Sequence, residues 1–198
     1  MPDVRSATEA DLPAVGRALA AAFDGDPVWS FLASPRAPWT PRASAWFEAE
    51  ARCRLKGHGE VLVDDDVRGA AIWAAPKHWK GTTGEAVAIA VPSARLFRSR
   101  LIRAMRNLSL MERNHPKDPE HWYLAILGTD PAHQGSGVGS ALIRQITDRC
   151  DAEGLGAYLE SSKESNVPFY ARHGFAVRQE IRMGDGPRMW LMWRDPQG

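Results

Sequence analysis

The stretch Gln134-Gly135-Ser136-Gly137-Val138-Gly139 decides how this chain folds. The residues before it, His121 to Thr129, are aromatic and aliphatic, which predicts a buried strand. The residues after it place Leu142, Ile143 and Ile146 at helical spacing, which predicts a helix. A strand that passes through a glycine-rich turn into a helix leaves several backbone N–H groups without an intrahelical partner. These groups and the helix dipole can bind a phosphate, so the sequence predicts a phosphorylated cofactor.

The spacing of the glycines allows three interpretations of this turn. A P-loop requires Lys followed by Ser or Thr after its last glycine, whereas Ser140 and Ala141 follow here, which excludes it. A dinucleotide-binding turn fits better, because Glu160 lies about twenty residues downstream, where an acid could bind a ribose. The residues after the turn are nevertheless too few to complete a doubly wound sheet. A tight turn that packs a helix on a strand and binds no ligand is the third interpretation.

Further motifs follow the turn in a recognisable order. Gly154 to Ser162 predicts a second strand, and it is followed by Asn166-x-x-Phe169-Tyr170 and then by Gly174-Phe175. Together with the turn, the order and spacing of these pieces resemble the GNAT superfamily of acetyl-CoA-dependent N-acetyltransferases.

The resemblance extends over most of the chain. Within the superfamily the chain looks closest to the puromycin N-acetyltransferases, through residues 4–8, 71–73 and 186–190 among others. Residues 24–54 and 77–107 show no clear correspondence. Since these two stretches would shape the acceptor pocket, the resemblance indicates the reaction more strongly than the acceptor.

The resemblance implies an α/β (α+β) fold with a mixed, mostly antiparallel central sheet flanked by helices. Two parallel strands, Trp122–Thr129 and Ala157–Glu160, would separate in a V-shaped splay that takes the pantetheine arm of acetyl-CoA as an added strand. Backbone groups of the first strand would bind that arm, and the turn would bind the pyrophosphate. Asn166 would contact the cofactor, cap the helix that follows it, or do both. The cofactor-binding residues expected in this way are Leu127, Thr129, Gln134, Gly135, Ser136, Gly137, Val138, Gly139, Ser140, Asn166 and Tyr170.

Acetyl transfer to an amine requires a proton donor for the thiolate and a proton acceptor for the amine. Tyr170 is the candidate acid, because a phenol with a pKa of about 10 is protonated at neutral pH; a tyrosine packed in the core is the alternative. Glu160 is the candidate base, acting through a water, unless it is merely solvated or paired with Lys163. His115 is a second candidate base, although a connector histidine is more often exposed. His173 is interpreted as structural.

Composition narrows the class of protein. With 198 residues the chain predicts a single domain, 1–198, whose cofactor-binding core spans about 121–175. Its 25 Lys and Arg balance 24 Asp and Glu, so no nucleic-acid or membrane partner is expected. The polar N-terminus predicts no signal peptide, and Cys53 and Cys150 are expected to be free thiols with no metal site. We therefore expect a cytoplasmic protein, monomeric or homodimeric.

Periodicity and turn residues predict the order βααββαβαββ. The helix after the first strand should end at Phe23, and residues 24–40 should form a loop. The following elements are a helix at 40–56, a hairpin of 60–64 with 68–75, a connector at 76–84, a mostly helical stretch at 85–114 broken near Pro92, and a last hairpin turn at 184–186.

The expected activity is transfer of an acetyl group from acetyl-CoA to a primary amine of a small molecule, an antibiotic or toxic metabolite being the most specific candidate. Direct transfer in a ternary complex is expected, because neither cysteine lies in the turn or beside a base. Trp29, Trp39, Trp46 and Trp79 would wall an apolar acceptor pocket or simply fill the core. A protein or peptide N-acetyltransferase and a non-catalytic acetyl-CoA sensor are the alternatives.

Overall fold

The computed structural model describes residues 2–197. Its helices and strands are, in chain order, β1 Val4–Ser6, α1 Leu12–Ala22, α2 Pro27–Leu32, α3 Trp39–Lys56, β2 Gly59–Asp64, β3 Gly69–Ala74, α4 Thr83–Phe97, α5 Leu101–Asn114, β4 His121–Thr129, α6 Val138–Glu153, β5 Gly156–Ser161, α7 Val167–Ala171, β6 Ala176–Arg182 and β7 Arg188–Arg194. No helix within this range is long and apolar enough to cross a membrane.

The strands of residues 2–197 form one seven-stranded sheet in the order β1-β2-β3-β4-β5-β7-β6. All neighbouring strands pair antiparallel except β4 and β5, which are parallel. The predicted mixed and mostly antiparallel sheet flanked by helices is therefore confirmed. The predicted order of elements omitted one strand and two short helices, α2 and α7, and it counted α4 and α5 as one helix.

Each face of the sheet carries its own hydrophobic core. One face packs against α1 to α5, with Leu19, Phe47 and Ile72 among its fully buried side chains. The other packs against α6 and α7, with Trp73 and Leu142 fully buried. Because side chains alternate between the faces of a strand, neighbouring residues of β4 and β5 reach different helical layers.

The connection between β3 and β4 is unusual. These strands are antiparallel neighbours, which a turn of a few residues normally joins, yet residues 75–120 intervene and contain α4 and α5. A capping box begins α4: Glu85 N–H donates to Thr82 Oγ1 at 3.2 Å, and Thr82 N–H donates to Glu85 Oε2 at 2.6 Å. The segment 75–120 lies on the face that carries α1 to α3.

Two predicted boundaries were wrong. Residues 24–40 are not all loop, because Asp26 caps α2 by accepting hydrogen bonds from the N–H groups of Val28 and Trp29. The helical stretch also continues through Pro92 and breaks at Arg98, whose φ is +47°. Pro92 removes one intrahelical hydrogen bond, and the buried Leu96 and Phe97 beyond it keep the helix on the core.

The two cysteines are free thiols, as predicted, and they lie in separate helices. Cys150 is buried on α6, and Cys53 is half-buried on α3. Three of the tryptophans expected to wall a pocket or fill the core, Trp29, Trp39 and Trp46, pack against the core of the α1–α5 face. Trp79 has a different position, described below.

Candidate active site

The site begins where β4 and β5 separate. Pairing between them starts at His121 and Gly156 and ends at Leu124 and Leu159. Beyond that point β4 continues to Thr129 without a partner on the β5 side. An unpaired parallel strand edge exposes backbone N–H and C=O groups that an extended ligand can use as a further strand would.

The glycine-rich turn lies at the end of this free edge. Gly135 and Gly137 have φ values of +78° and +87°, which glycine adopts without strain. Gly137 is the N-cap of α6 and leaves the helix end without a side-chain cap or an acidic residue in the first turn. Within residues 2–197, the backbone N–H groups of Val138 to Ser140 have no hydrogen-bond acceptor. The residues present therefore fit an anionic group such as a pyrophosphate.

A cleft of about 590 Å³ connects the turn to the free edge of β4. The basic residues His133, Lys163 and Arg172 line it, and the sequence had not singled them out as site residues. Ten of the eleven predicted cofactor-binding residues also line it, namely Leu127, Thr129, Gln134, Gly135, Gly137, Val138, Gly139, Ser140, Asn166 and Tyr170. The exception is Ser136, whose hydroxyl donates to the His133 carbonyl at 2.6 Å.

Tyr170 lies on α7 and faces this cleft. The residue is 8% exposed, and its hydroxyl makes no hydrogen bond to residues 2–197. Burial, with a smaller contribution from the charge of Asp26, raises the pKa of Tyr170, so its phenol stays protonated at neutral pH. Asn166 also lines the cleft, but its side chain makes no capping hydrogen bond to α7, so the predicted capping role is wrong.

Asp26 is a site residue that the sequence analysis missed. Its carboxylate is 1% exposed, accepts a 2.6 Å hydrogen bond from Ser162 Oγ and lies 3.9 Å from Lys163 Nζ. It thereby joins the start of α2 to the end of β5 beside Tyr170. The Asp26-Pro27 dipeptide, a cap followed by proline at the first helical position, is the signal that could have revealed α2.

Glu160 lies on the other face, one residue beyond the last paired residue of β5. Its side chain is 4% exposed, and its Oε2 accepts a 2.6 Å hydrogen bond from the hydroxyl of Tyr123. Burial and the charge of Glu160 raise the pKa of Tyr123 well above its usual value, which keeps this phenol a donor. The alternative interpretation expected Glu160 to be solvated or paired with Lys163, and it was wrong, because the carboxylate is buried and bonded to Tyr123.

His115 is buried beside Glu160 rather than exposed. The Nδ1 atom of His115 lies 3.9 Å from Glu160 Oε1, and the residue is 5% exposed. Its Nε2 atom lies 3.1 Å from Nε2 of His121, whose Nδ1 lies 2.7 Å from the carbonyl oxygen of Pro119. Trp79 stacks on the His115 ring, with centroids 4.0 Å apart and an angle of 16° between the planes.

The remaining histidine that the sequence analysis considered, His173, was interpreted as structural and lies just after α7. His173 Nε2 lies 3.1 Å from Ser140 Oγ and so ties the end of α7 to the first turn of α6. Burial lowers the pKa of His173, with smaller contributions from nearby arginines, so this contact does not depend on a charged imidazole.

A second cavity, of about 430 Å³, lies beside the buried histidines, at the opposite end of β4 and β5. It is lined by Asn114 and Pro116, which flank His115, and by Pro119 and Tyr158. The Tyr158 ring lies 4.7 Å from the His115 ring, centroid to centroid. The buried cluster thus lies between the end of β5 and a cavity at the start of β4.

A mixed sheet that splays between two parallel strands, with a glycine-rich turn at the following helix, defines an acyl-CoA N-acyltransferase. Residues 18–175 match the model of the Acetyltransferase (GNAT) family, and the chain belongs to that family. Members of this family generally use acetyl-CoA as donor, so the prediction of an acetyl-CoA-dependent N-acetyltransferase is confirmed at the level of the family.

Individual proteins show the same likeness. An uncharacterised N-acetyltransferase of Schizosaccharomyces pombe is 38% identical over 84 residues, which are 41% of this chain and 34% of the yeast protein, so the match spans about a third of that relative. A Corynebacterium glutamicum structure described as histone acetyltransferase HPA2 and related acetyltransferase has a TM-score of 0.75 and 26% identity, and the match covers 100% and 97% of the two chains. Arylalkylamine N-acetyltransferase 2 of Aedes aegypti shares the fold, with a TM-score of 0.63 and 13% identity. The match covers 98% of this chain and 99% of the Aedes chain.

Proposed function

We propose that this protein transfers the acetyl group of acetyl-CoA directly to the primary amine of a small molecule within a ternary complex. The observation that carries the proposal is the placement of two groups around one point, the end of pairing between β4 and β5. Tyr170 lies in the cleft that contains the unpaired part of β4, and Glu160 follows Leu159, the last residue of β5 that pairs with β4. An acid and a base are thus available on opposite sides of the splay.

The cofactor side is assigned to residues of the cleft. Acetyl-CoA, when bound, supplies the acetyl thioester. The N–H groups of Val138 to Ser140 bind its pyrophosphate, with Lys163 and Arg172 adding positive charge. Leu127 and Thr129 offer the free edge of β4 to the pantetheine arm, and Asn166 contacts the cofactor.

Tyr170 and Glu160 handle the protons. Tyr170 holds its proton at neutral pH and donates it to the departing sulfur, because Tyr170 lines the cleft and its hydroxyl is bonded to no acceptor within residues 2–197. Glu160 accepts a proton from the ammonium form of the acceptor, since an amine attacks only as the free base. Direct transfer needs no covalent enzyme intermediate, and neither cysteine lies in the cleft.

The enclosed position of Glu160 supports a small acceptor. Its carboxylate is buried beneath the segment 75–120, where Trp79 and Tyr123 surround the neighbouring His115. Aromatic walls suit an apolar amine and attract a cation. The Aedes protein is named an arylalkylamine N-acetyltransferase, and an arylalkylamine is an amine of this apolar kind. An amine-bearing antibiotic is the most specific form of the proposal, and the resemblance to puromycin N-acetyltransferases supports it.

Two alternatives differ in their acceptor. A protein or peptide N-acetyltransferase is suggested by the histone acetyltransferase name of the Corynebacterium structure, and it would act on a lysine or an N-terminus. A non-catalytic acetyl-CoA sensor would bind the cofactor without transfer.

We also propose that residues 1–198 act as a single domain, supported by the one sheet that runs from Val4 to Arg194. The cytoplasmic location and the monomeric or homodimeric state stay predictions.

The test is an acceptor screen with thiol release as the readout. Purified protein is incubated with acetyl-CoA and puromycin, polyamines, aminoglycosides or lysine peptides, and the acetylated product is identified by mass spectrometry. Release with a small amine supports the proposal, whereas release with peptides alone replaces it with the protein N-acetyltransferase. Tight acetyl-CoA binding without release on any acceptor would contradict transfer and favour the sensor.

A further inference from the structure

The hydrogen bonds of His121 and His115 determine where each imidazole carries its proton. The Pro119 carbonyl can only accept, so His121 Nδ1, at 2.7 Å, carries a proton. Burial lowers the pKa of His121, which favours the neutral ring, so its Nε2 is an acceptor. His115 Nε2, 3.1 Å away, is therefore the donor of the bond between the two rings. The position on His115 that can gain or lose a proton is then Nδ1, the nitrogen that faces Glu160.

The surroundings of His115 Nδ1 suit an imidazolium. Glu160 Oε1 lies 3.9 Å away, within ion-pair distance but beyond that of a direct hydrogen bond. Trp79 covers the imidazole face at 4.0 Å, an arrangement that stabilises a cation on an aromatic ring. The Tyr123 and Tyr158 rings meet the His115 ring edge to face, at centroid distances of 4.7 Å each. A proton on Nδ1 thus has both an opposite charge and aromatic partners beside it.

We propose that His115 is the final acceptor of the proton that leaves the amine, and that Glu160 passes this proton on; the inference rests on the proposed function. Nδ1 of His115 faces the Glu160 carboxylate inside the protein, so a proton that reaches Glu160 has the imidazole as its next acceptor. One water or a small rotation of Glu160 closes the gap of 3.9 Å. Asn114 and Pro116, which flank His115, line the second cavity, through which the proton returns to solvent without passing the acceptor.

The protons and bonds balance as follows. An ammonium acceptor loses two N–H bonds, one C–S bond breaks, and one C–N bond and one S–H bond form. The first proton passes from nitrogen through Glu160 to His115 Nδ1, which leaves a free amine. Tyr170 supplies the proton of the S–H bond, and the second proton lost by the nitrogen restores Tyr170. One proton per turnover therefore remains, and it is the one that His115 holds.

Other charged and titratable groups face this cluster from the elements packed on it. On β4 and β5 they are His121, Tyr123, Tyr158 and Glu160. On α3, the positive charge of Arg54 acts on Tyr123 and lowers its pKa slightly. Arg54 is also paired with Glu50, and its Nε lies 3.2 Å from Glu50 Oε1. Arg54 Nη1 also donates to the His78 carbonyl next to Trp79, at 3.3 Å. Glu160 is the acidic group at Nδ1, so charging His115 neutralises a local negative charge.

The first experiment examines the protons directly and needs no activity. The histidines are labelled with ¹⁵N, and two-bond N–H couplings are recorded against pH, with His115→Gln and His121→Gln used for assignment. We expect His121 to stay neutral with its proton on Nδ1, and His115 to change between the Nε2–H tautomer and the imidazolium. A neutral His115 with its proton on Nδ1, or one that does not titrate between pH 5 and about 9, would overturn the inference.

The second experiment compares two variants by their pH profiles of kcat/KM. His115→Gln keeps an N–H donor for His121 but has no basic nitrogen, so we expect the ascending limb to disappear and kcat to fall by about 10²-fold. Glu160→Gln should lower kcat and shift the ascending limb of the kcat/KM profile along the pH axis without abolishing it, because the imidazole of His115 is still present. His58→Gln, at an exposed histidine outside the cluster, is the matched control and should behave as the wild type.

The reverse pattern would overturn the inference and leave the proposed function intact. If the limb disappears in Glu160→Gln and survives in His115→Gln, Glu160 itself is the final acceptor. If no amine is acetylated by the wild-type protein, the proposed function fails, and the ¹⁵N spectra alone then decide whether His115 holds a proton beside Glu160.

Discussion

The hydroxyl of Tyr123 donates a 2.6 Å hydrogen bond to Glu160, joining two parallel strands at the point where they separate. Tyr123 lies on β4 before the last paired residue, and Glu160 lies on β5 just after it. The bond fixes the carboxylate at the base of the splay. Since both groups are buried, neither can exchange this partner for bulk water.

We expect Tyr123→Phe to destabilise the protein and to reduce activity. The substitution keeps the ring and removes a donor from a buried carboxylate, which costs about 1–3 kcal/mol of unfolding free energy. The loss should appear in urea denaturation, and kcat should fall because Glu160 is no longer held in position. An unchanged denaturation midpoint would show that the hydrogen bond contributes nothing to stability.

A second tyrosine should respond in the opposite way. Tyr170→Phe removes a hydroxyl that makes no hydrogen bond to residues 2–197, so the denaturation midpoint should be unchanged. Loss of the general acid should lower kcat by about 10²-fold, while the acetyl-CoA affinity measured by calorimetry stays the same. A variant that turns over at the wild-type rate would remove Tyr170 from the mechanism. The two Tyr→Phe variants are thus controls for one another.

The glycines at the two ends of α6 offer a matched test of cofactor binding. Gly137 and Gly154 both have positive φ, +87° and +67°, so replacing either by Ala strains the backbone by about 1–2 kcal/mol. Only Gly137 lies in the cleft. We expect Gly137→Ala to weaken acetyl-CoA binding about tenfold, a cost of roughly 1.4 kcal/mol, whereas Gly154→Ala leaves it unchanged at a similar loss of stability. Equal affinities in both variants would contradict the assignment of the turn.

Asp151 and Arg194 predict how stability depends on pH. Two hydrogen bonds of 2.7 and 2.6 Å join the Asp151 carboxylate on α6 to the guanidinium at the end of β7. The hydrogen bond from Arg194 lowers the pKa of Asp151 in the folded protein. The ion pair therefore contributes its full stability above the usual Asp pKa of about 4, and this stability is lost as pH falls through the lowered pKa.

We therefore expect Asp151→Asn to lower the unfolding free energy at pH 7 by about 2–3 kcal/mol, because Arg194 is left buried without its partner. The difference from the wild type should shrink as pH falls below about 4. The control is Glu180→Gln, which breaks an exposed pair with Arg188 and should change stability by less than about 1 kcal/mol. A constant difference between pH 3 and 7 would contradict the role of ionised Asp151.

Ten of the residues predicted to bind the cofactor line one cleft, and the sequence could group them because most are close together along the chain. The turn, α6, β5 and α7 follow one another within residues 134–171, and local rules for glycine, helix starts and strand periodicity apply to each. The fold class followed from the same stretch. The acidic Asp26 was missed because its contacts with Ser162 and Lys163 lie far apart in sequence.

The acceptor half could not be predicted in the same way. His115 and Glu160 are separated by 45 positions, and they meet only because the segment 75–120 returns to the sheet at β4. Trp79 reaches the same cluster from the other end of that segment. No periodicity indicates such contacts, so His115 could be named as a candidate base but not placed. The break at Arg98 rather than Pro92 shows in addition that burial of Leu96 and Phe97 outweighs a local helix-breaking signal.

The segment 75–120 leaves the sheet from β3 and rejoins it at the adjacent strand β4, so its two ends are neighbours in space. An insertion of this kind can lengthen, shorten or change its sequence while the strands on either side keep their register. The residues proposed to bind the donor lie elsewhere, between β4 and α7. Under the proposed function, part of the choice of acceptor is therefore encoded separately from use of the donor, and grafting this one interval from a relative should alter the acceptor without disturbing acetyl-CoA binding.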